Sequence, residues 1–190
     1  IDQKRNARNN HRFTLHHMGY YTDDMAQEIK DLGVEASVNP YYLWALADKY
    51  SENGLGKERG ENLVRINSLV KRDIPVSFHS DFSMAPMEPL TLAWTAINRV
   101  TSEKSSFSQD QKISVFDAMK AITIDAARTL NLEKQIGSIA EGKRANLVIL
   151  NESPFSVHPM EIKNIKVLAT IFEGGFNIVK SNNLKRSNAK

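Results

Sequence analysis

The stretch DIPVSFHSDFSMAP, residues 73–86, decides the fold because it reads as a buried strand that ends in titratable side chains. Apolar and polar residues alternate along it, so that Ile74, Val76 and Phe78 share one parity. The other parity ends in His79 and Asp81, which should lie side by side because successive side chains of a strand point to opposite faces. Enzymes built on parallel sheets place their chemistry at the carboxyl ends of the strands. The stretch therefore predicts a functional site at the end of such a strand.

Strand and helix patterns alternate on both sides of this stretch. Residues 12–17 read as a strand, residues 22–33 as a helix capped by Thr22 or Asp23 and ended by Gly33, and residues 34–40 as a second strand. Helices are predicted from residue 41, over 60–73 and over 89–101, followed by a polar and mobile hinge at 102–108. Ser108 and Gln111 have capping-box spacing and predict a long helix to about Leu132. The order predicts an α/β fold with a parallel sheet.

The pattern changes near Gly137, where short strands separated by glycine turns replace the helices. The sequence predicts a β appendage over 134–180, after an α/β part over 1–133. The last residues, 181–190, are predicted to be a flexible tail.

The composition is that of an ordinary soluble globular chain of 190 residues, with 41% hydrophobic and 25% charged residues and a net charge of +3. The basic residues form no helix face and lack interleaved aromatic residues, so no nucleic-acid partner is expected. No apolar run approaches the ~20 residues that span a bilayer, so no membrane association is expected. The chain has no cysteine, so a metal would need histidine and carboxylate ligands. The same absence fits a cytoplasmic location.

Each candidate side chain also has a purely structural interpretation. Asp81 is of a residue type common in turns, and His16 or His17 could simply pack in the core or lie on the surface. Adjacent residues of a strand face opposite ways, and parity favours His16 because it shares a face with Thr14. Tyr41, Tyr42 and Trp44 follow the end of the second strand and could line a substrate pocket or pack a helix.

Three stretches together resemble the carboxyl-terminal part of the amidohydrolase superfamily, the metal-dependent (β/α)8-barrel hydrolases, in the branch that includes N-substituted formamide deformylases. HRFTLHH (11–17) is similar to the sixth-strand pattern of that family, and DIPVSFHSDFSMAPMEPL (73–90) to its eighth-strand motif. AITIDAARTLNLEKQIGSIAEGKRANLVIL (121–150) is similar to the exit from the barrel into a small β-sandwich. The resemblance implies about three βα units of a TIM barrel followed by part of that sandwich.

The resemblance also implies roles. One or two divalent metals, usually zinc, would polarise a water, and Asp81 would act as the general base and contact the metal. His17 falls on the family's metal-ligating histidine, which opposes the parity argument and makes His16 the alternative ligand or a supporting residue. His79, which stands where the family commonly has a small residue, would be a proton relay, an added ligand or a side chain that orients Asp81. Asn39, Tyr41 and Tyr42 would contact a small-molecule substrate.

The family's other ligands have no counterpart in these residues, and three strands cannot close a barrel. We therefore expect the chain to be the last third of a longer enzyme of non-peptide C–N bond hydrolysis, inactive alone and completed by a missing amino-terminal part or by another copy in a homo-oligomer. The alternative is a non-catalytic binding or assembly module that retains the fold.

Overall fold

The computed structural model describes residues 11–179, and in that range two three-stranded sheets are joined and covered by short helices. Strands β1 (Thr14–His17), β2 (Glu35–Val38) and β3 (Val76–Phe78) form a parallel sheet in which the spatial order is the order of the chain. Both pairings run through β2, where Ser37 lies opposite His16 on one side and Ser77 on the other. The predicted α/β class, with strands and helices alternating, is confirmed.

The first helix, α1 (Asp23–Leu32), connects β1 to β2 and has both of its predicted ends. The backbone N–H of Met25 donates to the side chain of Thr22, which is therefore the N-cap. Gly33 ends the helix at a φ of 67°, a left-handed conformation that glycine adopts without steric cost. The helix buries Ala26 and Ile29, whereas Met25 is half exposed.

Between β2 and β3 the chain forms three helices, α2 (Tyr41–Asn53), α3 (Lys57–Glu61) and α4 (Ile66–Val70). The prediction of a single helix over 60–73 is wrong, because residues 62–65 leave the helical conformation between α3 and α4.

A buried guanidinium explains this interruption. Arg99 is fully buried, and its two terminal nitrogens donate to the carbonyl oxygens of Val64 and Leu63 at 2.7 and 2.8 Å. Carbonyl groups of a continuous helix are occupied by the helix's own N–H groups, so these two are free to accept from Arg99 only where the helix is broken.

Helix α5 (Pro89–Asn98) follows β3, and the segment after it is more ordered than the polar composition predicts. Thr101 is buried, and its N–H donates to the carbonyl of Ser105 at 2.9 Å. Val100 and Ser106 form an isolated antiparallel bridge. The interpretation of residues 102–108 as a mobile hinge is therefore wrong, because backbone hydrogen bonds close this segment into a tight turn.

The long helix expected from Ser108 to Leu132 is also wrong. A 3₁₀ turn (Gln109–Gln111) is followed by two separate helices, α6 (Val115–Ala121) and α7 (Ile124–Thr129). Ser114, not Ser108, caps α6 by accepting the N–H of Asp117 at 3.0 Å.

Helix α7 packs against strands β2 and β3 of the parallel sheet. Arg128 donates to the buried carboxylate of Glu35 at 2.8 Å, and the hydroxyl of Thr129 donates to that of Ser77 at 2.8 Å. Glu35 is the first residue of β2, so this contact leaves the carboxyl ends of the strands free of α7. The hydrophobic core lies between the sheet and its helices and includes Val38, Leu43, Ile66, Leu69, Val76 and Trp94.

The appendage is an antiparallel sheet of β4 (Leu147–Leu150), β5 (Val167–Phe172) and β6 (Gly175–Ile178). This confirms the switch to β structure, and the tight turn of the β5–β6 hairpin contains Gly174 at a φ of 85°. The sheet exposes large apolar side chains, among them Phe172, Phe176 and Ile178. The second layer of a β-sandwich stays a prediction, and the tail at 181–190 lies outside the described residues.

The connection between β4 and β5 attaches the appendage to the α/β part. A 3₁₀ segment (Pro159–Asn164) packs on α5, where the indole N–H of Trp94 donates to the carbonyl of Met160 at 2.9 Å. Asn98 donates to the carbonyl of Pro159 at 3.0 Å, and Ile162 is fully buried. Within residues 11–179, none of the helices is both long and apolar enough to cross a membrane.

Candidate active site

Four predicted site residues lie at the carboxyl ends of the parallel strands. His17 ends β1, Asn39 follows β2, and His79 and Asp81 follow β3. Because parallel strands end at the same edge of a sheet, these residues are brought together although they come from separate parts of the chain. This edge is where α/β proteins place ligands.

His17 and Asp81 approach each other across the end of β2. The nearest atoms are Nδ1 of His17 and Oδ2 of Asp81, which are 3.9 Å apart, and both side chains are about half exposed. An exposed pair at this distance adds little to the stability of the fold. The pair therefore does little to stabilise the fold. Its imidazole and its carboxylate are both accessible to a ligand.

Tyr42 adds a hydrogen bond to this pair. Its hydroxyl lies 2.9 Å from Nδ1 of His17, and the two rings are nearly parallel with centroids 6.2 Å apart. Burial raises the pKa of the Tyr42 phenol, and the nearby carboxylate of Asp81 raises it further. The phenol thus stays protonated at neutral pH and fixes one nitrogen of the imidazole, leaving Nε2 as the nitrogen for another partner.

The parity argument favoured His16, but alternation of side chains holds only within a regular strand, and β1 ends at His17. His17 has a φ of 72°, in the left-handed region, so its side chain does not follow the alternation of the strand. Both rings approach His79, with centroid separations of 6.0 Å from His16 and 4.9 Å from His17. His17 is the one of the two within 4 Å of Asp81, and Asp81 itself has a φ of 52°. Non-glycine residues in this region cost conformational energy and cluster at functional sites.

His79 is the less exposed of the site histidines, and its Nε2 atom is buried without a hydrogen-bond partner among the described residues. Burial lowers the pKa of its imidazole, the neighbouring His17 and His16 lower it further, and Asp81 partly opposes them. His79 is therefore neutral at neutral pH. A buried polar nitrogen without a partner is costly, which marks this position as one where a ligand or another part of the protein would supply the missing hydrogen bond.

Asn39 and Tyr41 differ in what they offer to the site. Asn39 is fully buried, and its Oδ1 accepts the N–H of Tyr41 at 3.0 Å while its Nδ2 has no partner among the described residues. Tyr41 is buried against Trp44, with ring centroids 5.9 Å apart, and burial raises its pKa to about 12. The structure thus places Tyr41 and Trp44 in helix packing, and leaves Asn39 and Tyr42 nearer the site.

A cavity of about 370 Å³ adjoins Asp81. Its lining combines His79 and Asp81 with apolar side chains, including Phe82, Met87 and Leu92. Phe82 and Met87 come from the irregular segment after β3 and are largely exposed. The sequence analysis assigned no role to this segment, although its bulky apolar residues Phe82 and Met87 were a signal for an apolar wall.

The donor types at this edge suit a divalent cation in part. Imidazole and carboxylate are common zinc ligands, and the free Nε2 of His17 and the exposed carboxylate of Asp81 are of these types. Among residues 11–179, however, no three histidine, aspartate or glutamate side chains have an arrangement that could hold a metal ion. The described residues therefore form no complete metal site by themselves.

Comparison with known proteins agrees with these observations. The amidohydrolase family profile matches residues 2–176. The N-substituted formamide deformylase of Arthrobacter pascens is 27% identical over 165 residues, which cover 84% of this chain and 30% of that protein.

Two solved structures share the fold. An uncharacterized metal-dependent hydrolase from Pyrococcus horikoshii aligns with a TM-score of 0.66 and 26% identity, over 77% of this chain and 30% of that chain. An adenosine deaminase from Xanthomonas campestris with bound Zn aligns with a TM-score of 0.63 and 16% identity, over 87% of this chain and 37% of that chain. The chain thus spans about a third of the length of these proteins. Since the family profile covers nearly the whole sequence, the chain belongs to the amidohydrolase family.

Proposed function

We propose that this chain is the carboxyl-terminal part of a metal-dependent amidohydrolase that hydrolyses non-peptide, amide-type C–N bonds of small molecules. The observation that carries the proposal is the convergence of His17 and Asp81, 3.9 Å apart, at the carboxyl edge of the parallel sheet. Family membership and the metal-dependent hydrolase among its structural neighbours support it.

The architecture that accompanies this function is a partial barrel. Three parallel strands in chain order, each followed by helical segments, are the arrangement of consecutive βα units in a (β/α)8 barrel. We assign residues 1–133 to the barrel portion and residues 134–180 to part of a β-sandwich. The exposed apolar side chains of Phe13, directly before edge strand β1, and of Leu15, within it, support completion by an upstream segment of the same protein.

A divalent metal, zinc by analogy with the neighbour that binds it, would be held by Nε2 of His17 and the carboxylate of Asp81 together with ligands outside this chain. When bound, such a cation supplies Lewis acidity and lowers the pKa of water from 15.7 towards ~7.

Asp81 is the base of the proposed reaction. Its carboxylate accepts a proton from the attacking water as the water oxygen bonds to the amide carbon, and returns that proton to the nitrogen as the C–N bond breaks. A weak base is sufficient because a bound divalent metal would already lower the pKa of the water. The cavity beside Asp81, which Phe82 and Met87 help to line, is the space where the substrate would bind for this transfer.

The surrounding side chains support this transfer. Tyr42 holds Nδ1 of His17 and so keeps the imidazole oriented with Nε2 outward. His79 is neutral and lies against His17. It can therefore accept or donate one proton through its unpartnered Nε2 and serve Asp81 as a relay.

The test uses the complete protein that contains this chain, with Asp81→Asn compared to wild type and with Asp24→Asn, an exposed aspartate of α1, as the control. We expect about one or two zinc equivalents by elemental analysis of the wild type. We also expect Asp81→Asn to lose at least about a hundredfold in amide hydrolysis, while the control keeps wild-type activity.

If the complete protein carries no metal and Asp81→Asn changes nothing, the alternative of a non-catalytic binding or assembly module is correct. The observation in its favour is that His17 and Asp81 are not joined by a third potential ligand within residues 11–179.

A further inference from the structure

A second cavity, of about 610 Å³, shares one side chain with the candidate active site. Its wall is formed by the β1–α1 connection, by one face of α2 and by the loop that precedes α4. The lining residues used below are Gly19, Tyr20, Tyr42, Leu46, Tyr50 and Leu63. We call this cavity the tyrosine pocket. Its volume lies within the range of about 300–1,000 Å³ typical of small-molecule sites.

Tyr42 joins the tyrosine pocket to the site. Its hydroxyl reaches His17, 2.9 Å away, while its ring forms part of the pocket wall. A group that occupies the pocket is therefore separated from the imidazole by no more than one tyrosine side chain. The pocket adjoins the site through this one shared side chain.

Gly19 sets the position of this shared ring. A Cβ atom at residue 19 would lie 3.3 Å from Cδ2 of Tyr42, closer than an ordinary van der Waals contact. A side chain there would push the ring away from its hydrogen bond with His17 or reduce the volume of the pocket. The glycine thus allows both features to exist together.

The chemistry of the wall selects an uncharged ligand. All the lining side chains are neutral, and apart from the tyrosine hydroxyls they are aliphatic or absent. The lining thus offers no counter-charge to an ionised group that gives up part of its hydration. Tyr20 and Tyr50 remain 43% exposed, so an apolar ligand would remove their ring surfaces from water.

We propose that the tyrosine pocket binds the uncharged apolar substituent, an aryl or branched alkyl group, of the amide substrate and thereby determines specificity. This inference rests on the proposed function, and it names the class of substrate. The main alternative occupant is an upstream segment of the same protein.

The experiment measures kcat/KM of the complete protein for a panel of N-substituted formamides, from N-methyl to N-cyclohexyl and N-phenylethyl. Leu46→Trp fills the pocket, and we expect the ratio of kcat/KM for the bulky substrates to that for the N-methyl substrate to fall at least about tenfold. Glu28→Trp, which places the same ring on an exposed position of α1, away from the lining of the tyrosine pocket, should leave the ratio unchanged. Tyr50→Ala, which removes one wall, should lower the ratio as well.

The outcomes separate the two proposals. Hydrolysis of the panel with a ratio that neither pocket variant changes would overturn the specificity role and leave the hydrolase intact. An equal loss for all substrates, together with a lower melting temperature of Leu46→Trp and Tyr50→Ala, would assign the pocket to the upstream segment. If the wild type hydrolyses no member of the panel and no other amide, both proposals fail.

Discussion

At the scale of single residues, the hydrogen bond between Tyr42 and His17 is the contact that most directly orients the imidazole at the carboxyl edge of the sheet. A histidine that ligates through one nitrogen is usually held at the other, and loss of that second partner costs about 10–100-fold in affinity or activity. The bond joins a strand end to a helix start, so it fixes the imidazole relative to both elements.

We predict that Tyr42→Phe in the complete protein lowers kcat and metal affinity by about tenfold. The unfolding free energy should fall by no more than about 1 kcal/mol, because one hydrogen bond to a half-exposed ring is lost. Steady-state kinetics, metal titration and urea unfolding measure the three quantities. Tyr21→Phe removes a buried hydroxyl that has no hydrogen-bond partner among the described residues and serves as the control, and equal kinetics for the two variants would refute the orienting role.

At the scale of secondary-structure elements, Arg99 connects α5 to the break between α3 and α4. Its guanidinium donates to the carbonyls of Val64, Leu63 and Phe107 at 2.7, 2.8 and 2.9 Å. Burial lowers its pKa to about 10, and the phenol of Tyr21 opposes that effect. The group thus stays charged at neutral pH, and its charge is compensated by carbonyl oxygens.

We predict that Arg99→Lys lowers the unfolding free energy of the complete protein by about 2–3 kcal/mol. An ammonium group cannot reproduce the planar fork that reaches three carbonyls, and the unpaired acceptors stay buried. Chemical denaturation gives the value, and hydrogen exchange should show the largest loss of protection over residues 62–66. Arg59→Lys, on the exposed side of α3, should be neutral, and a similar cost for both variants would show that the fork is not needed.

The sequence predicted the ends of a helix correctly where the residues that cause those ends lie at the helix itself. Thr22 and Gly33 act within α1 through their own side chain or backbone conformation, and both ends of that helix are confirmed. Gln111 shows the opposite case. Its side chain does not cap a helix but accepts from the N–H of Ser68 at 3.0 Å, 43 residues away in the chain. A rule based on the spacing of neighbouring residues cannot predict a contact between distant parts of the chain, so the capping-box prediction at Ser108 was wrong.

The candidate site likewise has features that the sequence predicts and features that it does not. The approach of His17 to Asp81 follows from parallel strands that end at one edge. Alternation along residues 73–86 predicted a site at that edge, whereas His17 was predicted only from the resemblance to the family. The choice between His16 and His17 depends on a left-handed φ at His17, which a parity rule for regular strands cannot anticipate. The tyrosine pocket was also not predictable, because its wall is assembled from three separate segments.

At the scale of the whole molecule, a charge cluster around Asp23 links α1 to α4 and makes stability depend on pH. Hydrogen bonding from Ser68 lowers the pKa of Asp23 most, and Arg65, Lys71 and Arg72 lower it further. Arg65 and Arg72 approach its carboxylate at 2.6 and 3.3 Å. A carboxyl whose folded pKa is below its unfolded pKa stabilises the fold above the unfolded value of about 4. That contribution is lost as the pH falls through the folded pKa.

We predict that Asp23→Asn destabilises the complete protein by about 0.5–1 kcal/mol at pH 7, a small value because the carboxylate is partly exposed. The difference between variant and wild type should shrink below about pH 4 and disappear near pH 2. Urea unfolding across that range tests this. Asp24→Asn, also in the first turn of α1, controls for the helix dipole, and a pH-independent difference would contradict the linkage.

The docking of residues 159–164 on α5 means that the two sheets are not independent lobes on a hinge. The indole N–H of Trp94 is satisfied by a carbonyl that arrives 66 residues later in the chain, and Lys163 lies 3.8 Å from the centre of the same ring. A chain shortened before Pro159 would leave a buried donor on the helix that follows the Asp81 loop. During synthesis, β3 is therefore complete well before residues 159–164 can pack on the helix that follows it.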